Sequence, residues 1–392
     1  MNLAKLGSSP LGDLLPISGT DVRTGHEWSH FAYAAHPLPS QPILSLAAVN
    51  LSAQAAMAVA RLDQAVSQLP NPQILVRPIL RREAASTSAL EGTYASFDEV
   101  LVADFLEDQQ LSSEQREIRN YVQATELAVT LLETYPISRK IAGLIQQTIV
   151  RGTDGDSYDA GDLRKRQVAI GPKNRPIHEA RFVPCPPGAL LVEGFSEWER
   201  WVNAENHVPI VAKMAMAHYQ FETLHPFADG NGRLGRLIAI LQLMQEGILR
   251  WPVLNLAPWL EAHRNEYQDG LLLLSETGDF DAWICFFAEA VRVQAVEGVI
   301  KIAALLTLKD TMIEELRKQG VRGSALEIAA NLIGYPIIDV PTAKLMVNRT
   351  FEAANSAVSR LVTLGILREI TGKRHNRLFI CDRAFRMIQN PA

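Results

Sequence analysis

Between positions 225 and 236 the chain reads His-Pro-Phe-Ala-Asp-Gly-Asn-Gly-Arg-Leu-Gly-Arg, placing a titratable base, a carboxylate, an amide, three glycines and two arginines within twelve residues. These groups suit a phosphate ester. His225 is the only nearby side chain that titrates around neutrality, which makes it the candidate base. Asp229 offers one hard oxygen ligand, and Mg²⁺ in phosphate sites commonly takes only one or two carboxylates beside phosphate oxygens and waters. Arg233 and Arg236 lie three residues apart, so on a helix both guanidinium forks reach one polyphosphate. Taken singly, each residue has a plainer reading: a structural histidine, a turn, a solvated arginine face. Their co-occurrence is the argument, because a turn alone needs neither the base nor both arginines.

The elements that must hold these groups follow from the flanking pattern. Ile210, Val211, Met214, Ala217, Phe221 and Leu224 recur at helical spacing, so His225 is expected at or just past a helix C-terminus, where Pro226 stops the helix. Asp229-Gly230-Asn231-Gly232 is a turn cluster, and the apolar run 234–243 resumes helical character. The result is helix, tight loop, helix. A glycine-rich loop opening a helix presents unpaired N–H groups and the positive end of the dipole to an anion.

The string His225-Pro226-Phe227-x-Asp229-Gly230-Asn231-Gly232-Arg233-x-x-Arg236 resembles the signature of Fic-domain proteins, whose commonest activity is transfer of AMP from ATP to a hydroxyl side chain of a protein. The resemblance implies His225 as the base that deprotonates the target hydroxyl and Asp229 as the ligand of Mg²⁺ or Mn²⁺. Asn231, with the backbone amides of Gly230 and Gly232, is implied to hold the α and β phosphates, Arg233 the β side and Arg236 the γ-phosphate. The family's kinase-like branch typically carries Lys at the position of Gly232, so this chain resembles the adenylylating branch.

Upstream, Thr87-Ser88-Ala89-Leu90-Glu91-Gly92 reads by composition as a helix end with Gly92 as its cap. It is also similar to the family's inhibitory motif, in which Glu91 would occupy Arg236 through a charge-assisted pair, flanked by Thr87 and Gly92. Thr93 stands where many relatives have Asn. The apolar stretches 168–170 and 180–183 flank a turn-prone centre at Lys173, Asn174 and Arg175, which predicts a β-hairpin. It resembles the family's flap, which clamps the target segment by strand addition; Ala169 and Cys185 depart from the usual Trp and Pro. Tyr267 resembles the position that shapes the adenine end of the site, and Gln268 often corresponds to a second Tyr.

Composition narrows the partners. The formal charge of −5 over 392 residues gives no global bias toward nucleic acid or membrane, and no apolar run reaches the ~18 residues of a membrane span. Cys185, Cys285 and Cys381 have neither pairing nor metal-ligand spacing, so reduced thiols and a cytoplasmic location are expected. Residues 341–392 hold nine Lys or Arg against three acids, a local surplus of six. There, 342–346, a turn near Asn348-Arg349, and 350–364 read as helix, turn, helix, followed by a basic hairpin tip with Lys373, Arg374 and Arg377. This resembles a winged helix-turn-helix that contacts DNA through residues 342–380, or one that contacts protein.

The expected architecture is an all-α Fic fold with a small β-hairpin flap plus a C-terminal winged-helix domain. Its parts are a surface-wrapping arm (1–42), an N-terminal helical region with the inhibitory motif (43–120), a catalytic core (121–295), a helical linker (296–322) and the winged helix-turn-helix (323–392). The expected function is protein adenylyltransfer from ATP to a target or to the chain itself, restrained by Glu91, with a homodimer as a further candidate partnership. The alternatives are removal of AMP, with Glu91 activating a water, and DNA-binding regulation with a nucleotide-sensing core.

Overall fold

A helix buried all round forms the centre of the protein. In the computed structural model, which describes residues 1–20, 25–69, 71–172 and 175–390, every residue from 211 to 224 of the helix Ile210–Leu224 is buried. Its apolar side chains face neighbours on several sides: Phe221 meets Phe195 and Trp198 of Ala189–Asn203, and Tyr219 meets Phe280 of Phe280–Lys318. The helix ends as expected at His225, which adopts a left-handed conformation (φ 47°) just before Pro226. The next helix, Asn231–Gln245, begins three residues earlier than the apolar run suggested, with only Gly230 (φ 77°) left to make the left-handed turn. A Cβ there would sit 3.2 Å from Val150 Cγ1, so both conformation and space favour glycine.

Upstream lie the helices Leu46–Ser67 capped by Ser45, Gln73–Leu90, Ser113–Leu132 with the Ser112/Gln115 capping box, and Arg139–Val150. The Leu46–Ser67 helix packs along Phe280–Lys318, where Gly298 lets Leu62 approach: an added Cβ would meet Leu62 Cδ1 at 2.8 Å. That long helix runs unbroken through the stretch expected as separate core and linker. The stretch before it divides at His263 into Ala257–Ala262 and Arg264–Thr277.

Two expectations are corrected. Residues 1–42 are not an extended arm: Gly12–Thr20 and Glu27–Ala35 form an antiparallel hairpin, registered Gly12 to Ala35 and Thr20 to Glu27. Tyr33 N donates to Val183 O (2.8 Å), and the buried Tyr33 hydroxyl pairs with Ser9 (2.7 Å). The glycines and prolines of this stretch masked its alternation. The flap, by contrast, is narrower than a hairpin. Ile170 and Phe182 make one antiparallel bridge, with Ile170 N donating to Phe182 O at 2.8 Å and Phe182 N to Ile170 O at 3.1 Å. Pro172, Pro176 and Pro184 have no N–H to extend the ladder; Lys173 and Asn174, at the expected turn, lie outside the described residues.

Toward the C-terminus come helices Ser324–Asn331, Val340–Val347 and Phe351–Thr363, then Asp382–Gln389. Ile337–Ile338, Phe379–Ile380 and Arg368–Glu369 form a three-stranded antiparallel sheet in that spatial order. No helix among the described residues is long and apolar enough to cross a membrane.

Candidate active site

The twelve-residue loop is built largely by its own backbone. Asn231 Oδ1 accepts from Phe227 N (2.9 Å) while its Nδ2 donates to Phe227 O (2.8 Å), so its side chain closes the loop. What Asn231 offers an anion is its N–H at the start of the helix. Gln146 ties the loop to its surroundings, donating to Asp229 O (3.0 Å) and accepting from Gly161 N (2.6 Å). Arg164, to which sequence reasoning gave no role, fixes the left-handed turn: its Nε donates to His225 O (2.8 Å) and its Nη2 to Leu224 O and Cys185 O. Its local signal was only a basic run, and His225 and Leu224 lie about sixty residues away in sequence.

His225, partly buried, lines a cavity of about 720 Å³ together with Glu91, Gly232, Arg236, Arg264 and Tyr267. Burial, and next the Arg164 guanidinium, pull its pKa down to about 4. The imidazole is therefore neutral at neutral pH and able to accept a proton. Thr223, Leu271 and Gln268 lie on the same wall. So does Glu222, whose carboxyl finds no hydrogen-bond partner for Oε1 among the described residues and is pushed by burial up to about 8.

Arg236 is almost fully buried and is held by residues 87–91. Its Nε donates to Thr87 Oγ1 (2.6 Å), and its Nη2 donates to Thr87 O (3.0 Å) and Glu91 Oε1 (2.6 Å). Burial opposes the charge on Glu91, but the adjoining Arg236 outweighs it and holds the carboxyl below the usual range. Gly92 (φ 91°) turns the chain away directly afterwards, and Arg264 Nη2 secures Leu90 O at 2.8 Å. Gly232 makes room for this pair, since a Cβ there would lie 2.2 Å from Glu91 Oε1. Tyr267 is buried, and its hydroxyl pairs with His218 Nε2 at 2.8 Å.

The other arginine is placed differently. Arg233 is absent from the cavity wall and turns to Glu117, its Nη1 donating to Oε2 at 2.9 Å. Asp229 has a half-exposed side chain, and its Oδ1 accepts from Gly230 N. Among the described residues no group of three or more His, Cys, Asp or Glu side chains is placed to hold a metal ion. One half-exposed carboxylate beside a helix N-terminus nevertheless fits a cation whose other ligands are phosphate oxygens and waters.

Known proteins match on this region. Residues 49–130 match the model described as Fic/DOC family N-terminal, and residues 136–243 the model described as Fic/DOC family. A protein adenylyltransferase Fic from Culex quinquefasciatus is 31% identical over 166 residues, covering 42% of this chain and 28% of that protein. One from Drosophila melanogaster is 29% identical over 171 residues, 43% of this chain and 29% of the relative. The chain thus spans less than a third of the length of these curated relatives. A Fic family protein from Desulfovibrio desulfuricans G20 has a similar crystal structure, with a TM-score of 0.57 at 18% identity over 88% of this chain and 98% of that one, a likeness of fold.

Proposed function

Residues 49–130 and 136–243 of the chain belong to the Fic/DOC family, and from that premise we propose that the protein transfers AMP from ATP to a Ser, Thr or Tyr hydroxyl of a protein. The observation that carries the reading is a neutral His225 on the wall of a cavity that also holds Arg236, gripped by Glu91 at 2.6 Å. In the reaction the target oxygen bonds to the α-phosphorus as the bond to the bridging β-oxygen breaks, and pyrophosphate leaves. His225 takes the hydroxyl proton. The amides of Asn231 and Gly232 at the helix start hold phosphate oxygens and Arg236 holds the terminal phosphate, while Arg233, turned to Glu117, stays off the cavity wall. Asp229 is the residue that would hold Mg²⁺ or Mn²⁺, which when bound with the nucleotide offsets phosphate charge. Tyr267 supports the wall of the nucleotide cavity.

Restraint by Glu91 follows from competition. The γ-phosphate and the Glu91 carboxylate need the same guanidinium, and Thr87 reinforces the resting partner. The test is protein-bound label from α-labelled ATP with Mg²⁺. Weak labelling by the wild type, strong labelling by Glu91→Gly and none by His225→Ala is the expected pattern. No label from any of the three, in a lysate rich in acceptors, would count against AMP transfer.

The division into an inhibitory region, a core and a C-terminal unit beginning near residue 323 belongs to the same proposal. The reading of 323–392 as a winged helix-turn-helix is supported by helix Val340–Val347, a left-handed Asn348, helix Phe351–Thr363 and the two strands after it. Lys373 and Arg374 are exposed between those strands, where DNA phosphates would meet them. Three unpaired cysteines support a reducing, cytoplasmic setting.

A further inference from the structure

Arg233 is the loop arginine that the cavity does not use, and its surroundings give it a different partner. Its buried guanidinium lies between two carboxylates: Nη1 donates to Glu117 Oε2 at 2.9 Å, and Nη2 reaches Asp229 Oδ1 at 3.4 Å. Its Nε is buried with no partner among the described residues. Glu117 comes from the Ser113–Leu132 helix, and its Oε2 also accepts from Thr93 Oγ1 at 2.9 Å. Thr93 follows Glu91 by two residues, so the segment that engages Arg236 also touches the partner of Arg233.

The two contacts on Arg233 are unequal, and the shorter goes to Glu117. Arg233 and Asp229 are four residues apart at a helix start, a spacing at which a guanidinium closes readily onto a carboxylate. Asp229 Oδ1 already accepts from Gly230 N. With the guanidinium folded fully onto it, the carboxylate would have little charge left for a cation. We propose that Glu117 is a positioning residue that draws Arg233 off Asp229, leaving Asp229 an oxygen for the divalent cation that accompanies the nucleotide. Thr93 fixes the orientation of Glu117.

This inference rests on the adenylyltransferase reading, and calorimetric ATP binding separates the two. The background is Glu91→Gly, titrated with ATP first in EDTA and then across a Mg²⁺ series, with Glu117→Ala or Glu117→Gln added. Glu117→Ala is expected to leave metal-free ATP affinity undiminished and to raise the Mg²⁺ needed for half of the metal-dependent gain about tenfold. Glu117→Gln keeps an acceptor without the charge and should fall between. Thr93→Val should shift the curve in the same direction by less. Superimposable Mg²⁺ curves for the background protein and its Glu117→Gln variant overturn the inference while the nucleotide site stands, as does ATP binding that ignores Mg²⁺. Failure of Glu91→Gly to bind ATP at all overturns both. The near-isosteric Glu117→Gln keeps the comparison decisive if Glu117→Ala does not fold.

Discussion

His225 illustrates how a single residue is set by its neighbours. Burial and Arg164 lower its pKa from an ordinary 6.5 to about 4, whereas Glu91 and Asp229 oppose that shift. A base acts when neutral, so activity should be lost only as pH falls through the depressed value. In the Glu91→Gly protein, which loses a carboxylate favouring the protonated ring, kcat/KM should stay level between about pH 8 and about pH 5.5. A fall centred on the ordinary histidine value would mean that His225 is more solvated than its cavity suggests. The same depression contributes stability that is fully present above pH 6.5 and is lost as pH falls from there through about 4, because over that window the unfolded chain binds a proton that the folded chain does not.

At the scale of the element, the decisive contact is between the end of helix Gln73–Leu90 and the start of helix Asn231–Gln245. Glycine at 232 permits it. A side chain there would collide with Glu91 Oε1 at 2.2 Å and crowd Arg236 Nη1 at 3.1 Å, so Gly232→Ala should push the Glu91 carboxylate off Arg236 and loosen residues 87–93. Hydrogen exchange should then speed up at amides 87–93 while the Ile210–Leu224 helix keeps its protection. Unchanged protection at 87–93 would show that the segment is held by Thr87 and Arg264 without Glu91. The loss of Arg236 contacts concerns a buried charge, where each hydrogen bond contributes about 1.5–3 kcal/mol.

Across the whole molecule, charge is distributed unevenly, with a net −5 overall and a basic surplus in residues 341–392. Arg377 is already engaged by Asn355 (3.2 Å) and by the Phe379 ring, whose centroid lies 5.2 Å from the guanidinium carbon, leaving Lys373 and Arg374 as exposed cations of the tip. If this unit meets DNA, replacing both by Ala should weaken binding at all sequences alike and lower the slope of log K against log salt by about 2. Transfer activity of the same double variant in the Glu91→Gly background should be unchanged. A salt slope that does not move would direct attention to protein contact through this face.

Local sequence determined the loop and its immediate frame. Pro226 and the helical apolar spacing ended one helix at His225, Gly230 allowed the left-handed turn, and the Ser112/Gln115 box started another helix, because each depends on residues within a few positions. The resemblance of residues 225–236 to the Fic signature then carried the proposed phosphate chemistry. Tertiary structure alone decided which partner each charged group keeps. Arg236 and Glu91 are 145 residues apart, Arg233 and Glu117 are 116 apart, and Arg164 holds His225 from 61 residues away. The strands of the first 42 residues and the single bridge of the flap pair segments close in sequence, but their place depends on packing against distant residues, as Tyr33 on Val183, which neither periodicity nor composition records.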